Sequence, residues 1–256
     1  MGDATPETSA QETFLSHLFE LRNRLLRSIV AVFVVLVCLF PWAKDIYSLL
    51  AQPLLRSMPQ GATMIATDVT GTFLVPLKVT LMAAFVLALP YVMWQAWAFV
   101  APGLYHHEKR LALPVIVSSF VFFLLGMAFA YFFVFPVMFS FFAGYAPEGV
   151  QMMTDIDKYL SFVLTMFLAF GLTFEVPVIV IVLVRLRVVS LDKLRSIRAY
   201  VIVGAFVIGA IFTPPDVLSQ LMLAVPLWVL YELGLFIARF ISVPVPESEQ
   251  EDATAQ

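Results

Sequence analysis

Between residues 24 and 238 the chain alternates long apolar runs with short polar segments. Six runs stand out, at about 24–43, 71–99, 112–142, 160–184, 197–212 and 217–238. A helix needs roughly 20 apolar residues to cross hydrocarbon, so the pattern predicts six transmembrane helices. The fifth run is short and is followed at once by Thr213-Pro-Pro-Asp216, a turn tight enough to force a hairpin. Sixteen helical residues rise only about 24 Å. The last two spans are therefore expected to be short and to leave the local bilayer thin or be shielded by neighbours. Pro90, Pro114, Pro136, Pro177 and Pro226 fall inside apolar runs. Each removes a helical hydrogen bond and favours a kink. The expected fold is an all-α integral membrane protein, six kinked helices in a curved, concave bundle.

The flanks differ from this core. Residues 1–12 and 241–256 lack apolar periodicity and are expected to be disordered tails around a membrane domain over 13–240. Residues 13–27 make an amphipathic lead-in to the first span, with Leu18, Leu21 and Leu25 at helical spacing. In the external loop after it, Ile46, Leu49, Leu50, Leu54 and Leu55 suggest a short surface helix that Pro53 bends. No cleavable signal peptide is expected, because no small-residue cleavage site follows the first apolar run.

Composition agrees: 61% of the 256 residues are hydrophobic and the mean hydropathy is +0.94. The formal charge of -3 misleads, since seven of the 18 acids sit in the tails. With both ends inside, eleven Lys and Arg fall in cytoplasmic segments, including Arg22, Arg24, Arg27, Lys109 and Arg110. Only Lys44, Arg56 and Lys158 fall outside, and Lys78 lies just within the second span. That asymmetry predicts cytoplasmic termini. The single cysteine, Cys38, excludes an internal disulfide and a cysteine metal cluster.

Glu175 is the most unusual residue, a carboxylate in Phe-Gly-Leu-Thr-Phe-Glu-Val-Pro with no Lys or Arg within nine residues. Acids at such depth cost several kcal/mol and mark function by default; the alternative is a protonated, hydrogen-bonded packing residue. For Glu232, nearer the cytoplasmic end, both readings stand. Asp216 can cap the sixth helix or join Gln220 in a polar patch. Glu20 and Arg24, four apart, form an ordinary surface ion pair on spacing alone. Glu108, beside Lys109 and Arg110, reads as a solvated cluster. His106 and His107 are adjacent and cannot share a helical face as metal ligands do. No nucleotide-binding loop, hydrolase or zinc signature is present. No catalytic residue, metal or cofactor is expected, so work must come from a partner or an ion gradient.

Five phrases, in order, carry a resemblance. They are His17-Leu-Phe-Glu-Leu-Arg-Asn-Arg-Leu25, Ala62-Thr-Met-Ile-Ala-Thr-Asp-Val69, Trp97-Ala-Phe-Val-Ala-Pro-Gly-Leu-Tyr105, Phe170-Gly-Leu-Thr-Phe-Glu-Val-Pro177 and Thr213-Pro-Pro-Asp216. From about Phe14 to Phe240 the chain resembles the TatC family, the multispanning receptors of the twin-arginine protein translocase. The resemblance implies a non-enzymatic receptor in the bacterial cytoplasmic (inner) membrane that binds paired-arginine signal peptides of folded precursor proteins. It implies TatA and TatB as single-span partners, a multi-copy assembly, no nucleic acid, and the proton-motive force as energy source. Glu20 and Glu108 match the family's signal-binding acids, with Arg22 and Phe99 nearby. Pro53, Tyr131, Asp216 and Gln220 match regions tied to partner docking or transport, and Glu175 matches the intramembrane polar residue. Lys109 stands where many relatives carry Arg. The competing reading is a proton-coupled secondary transporter of small solutes using Glu175 and Glu232.

Overall fold

A computed structural model of the chain describes residues 6–56, 63–100, 109–144 and 153–241. It comprises two compact units, Met1–Leu168 and Ala169–Gln256. Among the described residues, five helical stretches are long and apolar enough to cross a membrane: Ser16–Leu49, Gly71–Phe99, Ala112–Phe142, Ile156–Arg185 and Val217–Phe240. One shorter apolar helix, Arg198–Phe212, accompanies them. Leu25, Ile29, Phe33 and Val37 of the first stretch all stand exposed. Water would not tolerate that continuous apolar surface, whereas lipid tails solvate it. The chain is a multi-pass membrane protein.

In the first unit, α1 (Pro6–Leu39) leads through a 3-10 turn (Phe40–Trp42) into α2 (Ala43–Arg56). Two expectations change here. Residues 6–12 are helical where a disordered tail is expected, and no Gly or Pro interrupts residues 7–39. The next helix continues past Pro53 to Arg56, so that Pro53 leaves only the carbonyl of Leu49 without its usual donor. Helix α3 (Gly71–Val100) packs against α1, α2 and α4 (Lys109–Phe129). Next come a π turn (Ala130–Val134) and α5 (Phe135–Gly144). Pro136 cannot donate to the carbonyl of Phe132, and the backbone widens immediately before it. Val75, Val79, Leu89, Phe123, Val134 and Met138 form the buried interior of this unit.

Among the described residues, the one departure from helix is a short parallel pairing of β1 (Thr63–Ile65) with β2 (Met153–Asp155). Side chains reinforce it. The Asp155 carboxylate accepts from the Thr67 hydroxyl and from the Thr67 amide at 3.2 Å. It also accepts from the amides of Asp157 and Lys158 at 2.8 and 3.1 Å, capping α6 (Ile156–Phe174). The Thr67 hydroxyl, and after it the backbone amides, lower the Asp155 carboxyl to about 2. A depressed folded pKa stabilises above the unfolded value, about 3.9. The tie should hold at pH 5 and loosen only as pH falls from about 4 toward 2. Amide hydrogen exchange at Thr67 checks this, and loss of protection already at pH 5 would refute it. Nearby, Lys78 Nζ donates to Asp157 Oδ1 at 2.6 Å and to Ser161 Oγ at 3.1 Å. The cation at the head of the second span is thus matched by a carboxylate.

In the second unit, the residues after Leu168 complete α6. Then follow α7 (Val176–Arg185), α8 (Leu191–Ser196), α9 (Arg198–Phe212) and α10 (Val217–Ile241). The fourth span is interrupted at Glu175, whose amide bonds back three residues to Leu172 while Pro177 restarts the helix. As expected α9 is short, 15 residues, but α10 is not. Its 25 residues rise about 37 Å, because Pro226 is accommodated inside the helix and no breaker precedes Ile241. Val180, Leu194, Tyr231, Leu235 and Ala238 form the core of this unit. The Tyr231 hydroxyl ties α10 to the carbonyl of Leu194 at 2.7 Å.

Candidate functional site

The recognition acid predicted from sequence sits on α1, where that helix packs against α3. Glu20 and Arg24 are one helical turn apart. Arg24 Nε and Nη2 both donate to Glu20 Oε1, at 2.9 and 2.6 Å. The second oxygen, Oε2, takes no hydrogen bond among the described residues, and the Glu20 side chain is 41% exposed. A carboxylate offers about four acceptor positions, and those on Oε2 are filled by no described residue. Arg24 also reaches across to α3, where its Nη1 donates to Gln95 Oε1 at 3.4 Å. Gln95 is buried and its amide donates to the Tyr91 hydroxyl at 2.9 Å.

One turn before Glu20, His17 stacks on Phe99, with ring centroids 4.4 Å apart and planes inclined by 18°. Such ring pairs contribute about 0.5–1.5 kcal/mol. The contact pins the end of α3 beside α1. Phe99 thus lies against His17, three residues before Glu20 on α1. Arg22 is exposed on the same helix. Glu108, the second acid, lies outside the described residues; α4 begins at the next residue, Lys109.

The other sequence candidates fall at distinct places. Tyr131 sits in the π turn, packed edge-on against Phe132 at 4.8 Å and facing Phe167 at 6.5 Å. Pro53 lies in α2. Glu175 is buried at the helix interruption. Asp216 caps α10 by accepting from the Ser219 amide at 2.7 Å, the structural role its spacing allowed. Gln220 donates to the Phe206 carbonyl at 2.9 Å and lies over Gly209, where an added Cβ would come within 3.0 Å of its Cγ.

Glu232 is ion-paired with Arg198 of α9 at 2.8 Å, with side chains 32% and 48% exposed. At that exposure the pair contributes at most about 1 kcal/mol. Glu232→Gln should lower the unfolding temperature by only a few degrees and leave transport within about twofold. Loss of transport in a normally folded variant would favour the reading of Glu232 as a functional acid.

Sequence reasoning missed His17, Gln95, Tyr91 and Arg198 as partners. Gln95 carried a signal: a primary amide within an apolar helix needs partners, and Tyr91 stands one turn away. Arg24 was visible only as an i,i+4 neighbour.

Comparison with known proteins agrees with this architecture. A family model described as Sec-independent protein translocase protein (TatC) matches residues 16–226. The Sec-independent protein translocase protein TatC of Azotobacter chroococcum mcd 1 is 55% identical over 233 residues, covering 91% of each chain. That of Escherichia coli (strain K12) is 52% identical over 229 residues, covering 90% of this chain and 89% of its own. A crystal structure of the twin-arginine translocase receptor TatC superposes with a TM-score of 0.77 at 39% identity. That superposition covers 88% of this chain and 98% of the other. With a helical membrane fold, the motifs in order and these similarities over most of its length, the chain belongs to the TatC family of Sec-independent protein translocase proteins.

Proposed function

We propose that this chain is the signal-peptide receptor and core subunit of a twin-arginine translocase. It binds the paired arginines of folded precursors at the cytoplasmic face of the bacterial inner membrane, both termini lying on that side. The observation that carries this reading is the half-open carboxylate of Glu20, with one oxygen held by Arg24 and the other accepting no bond among the described residues. A guanidinium offers planar, directed donors to such an oxygen, which an ammonium does not. The stacked His17–Phe99 pair beside it offers apolar area for the flanking residues of a peptide. Glu108 serves as the second acid and Arg22 as part of the basic surround. TatA and TatB are the single-span partners, and the regions around Pro53, Tyr131, Asp216 and Gln220 serve partner docking or transport, in a multi-copy assembly energised by the proton-motive force. Glu175 supplies the intramembrane polar group. Nothing catalytic is assigned.

The test is site-specific photocross-linking from positions 20 and 108 to a precursor bearing Arg-Arg or Lys-Lys in its signal. Labelling of the Arg-Arg form well above the Lys-Lys form is expected, and equal labelling would overturn the recognition role.

A further inference from the structure

The acid at position 20 already holds a guanidinium, and it belongs to the receptor. Any incoming cation must share the carboxylate with Arg24, which is itself anchored by a buried side chain on another helix. We propose that Arg24 and Gln95 determine specificity at this site, by fixing a resident guanidinium beside the one open oxygen of Glu20 so that a planar guanidinium is admitted and an ammonium is penalised. The inference rests on the receptor reading and names the residues that set its selectivity.

Three observations support it. First, Arg24 spends both Nε and Nη2 on Oε1 alone, so the ordinary two-oxygen fork with a ligand arginine is blocked and binding must occur at Oε2. Second, Arg24 is held from both sides. Its Nη1 donates to Gln95 Oε1, and Gln95, 3% exposed, is steadied in turn by the Tyr91 hydroxyl. A buried amide with this few partners has little freedom to let Arg24 go without losing an acceptor contact. Third, the Arg24 side chain is only 25% exposed, so water screens its charge incompletely from a neighbour at Glu20.

The two ligand cations respond differently to that neighbour. A guanidinium is delocalised, weakly hydrated and flat, and can lie against another guanidinium. An ammonium concentrates its charge and keeps its water. The resident arginine therefore weakens the binding of both, but weakens lysine more. Gln95 touches no ligand in this scheme; it is a positioning residue acting through Arg24.

The experiment measures dissociation constants of fluorescent signal peptides carrying Arg-Arg or Lys-Lys, with the full chain in lipid nanodiscs. It compares wild type, Gln95→Met, Arg24→Gln, the double variant and Glu20→Gln. Gln95→Met conserves volume and removes the acceptor. The ratio of the Lys-Lys to the Arg-Arg constant should fall about threefold or more in Gln95→Met and in Arg24→Gln, mostly through tighter Lys-Lys binding. It should fall no further in the double variant, as for groups coupled in one network. A change in packing alone would not shift this ratio. An unchanged ratio in Gln95→Met, or effects that add in the double variant, overturns the proposal. If Gln95→Met folds poorly, the ratio in Arg24→Gln decides it, because that side chain is only partly buried. If wild type does not discriminate, or Glu20→Gln keeps full discrimination, the receptor reading itself falls. If Glu20→Gln loses it while Gln95→Met and Arg24→Gln do not, only the assignment to Arg24 and Gln95 falls.

Discussion

Glu20→Gln should reduce export of a paired-arginine precursor by about two- to thirtyfold while the protein accumulates in the membrane at its normal level. The substitution keeps the shape of the side chain and removes its charge. A hydrogen bond to a charged group contributes about 1.5–3 kcal/mol, against about 1 for a neutral pair, and the loss of the ionic component translates into that range of binding. Folding has much less at stake. The pair with Arg24 is a half-exposed i,i+4 interaction, of about 0.3–0.5 kcal/mol, and the His17–Phe99 stack is untouched. Glu20→Asp is the sharper variant, because it keeps the charge but retracts the carboxylate from Arg24. It should lose export to an intermediate degree. Export of a folded reporter, with membrane abundance measured in the same cells, separates the two contributions. Wild-type export by Glu20→Gln would remove Glu20 from recognition.

Much of the fold was legible because hydrocarbon imposes so simple a rule. Backbone groups cannot be left open in lipid, so each long apolar run had to be helical. The short fifth helix could be read the same way, from Thr213-Pro-Pro-Asp216. What escaped the pattern was decided by partners distant in sequence. The ladder of Thr63–Ile65 on Met153–Asp155 depends on Asp155 finding Thr67, a contact that no periodicity encodes. Likewise Lys78, a cation that the spacing left unmatched, is answered by Asp157 nearly 80 residues on. At the candidate site the carboxylate was visible as a residue type in a basic collar. Its directionality was not, because that depends on Arg24 choosing one oxygen and on Gln95 entering from α3. Proline gave mixed guidance. Pro177 ends a helix at Glu175, whereas Pro90, Pro114 and Pro226 sit within continuous helices; sequence alone does not say whether neighbouring packing will hold a helix together across the missing bond.

Gly234→Val should be strongly destabilising and Gly204→Ala innocuous, although both glycines lie within helices. A Cβ at Gly234 would stand 3.0 Å from Pro177 Cα and 3.0 Å from Val180 Cβ, with Val180 Cγ1 at 3.3 Å. The first of these is backbone in a ring-constrained residue and cannot rotate away. Relief therefore requires α7 and α10 to separate, and Val180, Tyr231 and Leu235 belong to the buried cluster that joins them. Overpacking of this kind costs about 1–3 kcal/mol, and the two γ-carbons of valine put it at the upper end. Around Gly204 nothing approaches a Cβ within 4 Å, so alanine there only restricts the backbone and should be neutral or slightly stabilising. Thermal unfolding of purified protein in detergent is the measurement. A clear drop for Gly234→Val, an intermediate one for Gly234→Ala and none for Gly204→Ala are expected. Equal behaviour of Gly234→Val and Gly204→Ala would show that the two helices are not held at that distance. Transport would suffer along with stability, since Pro177 is two residues from the buried Glu175.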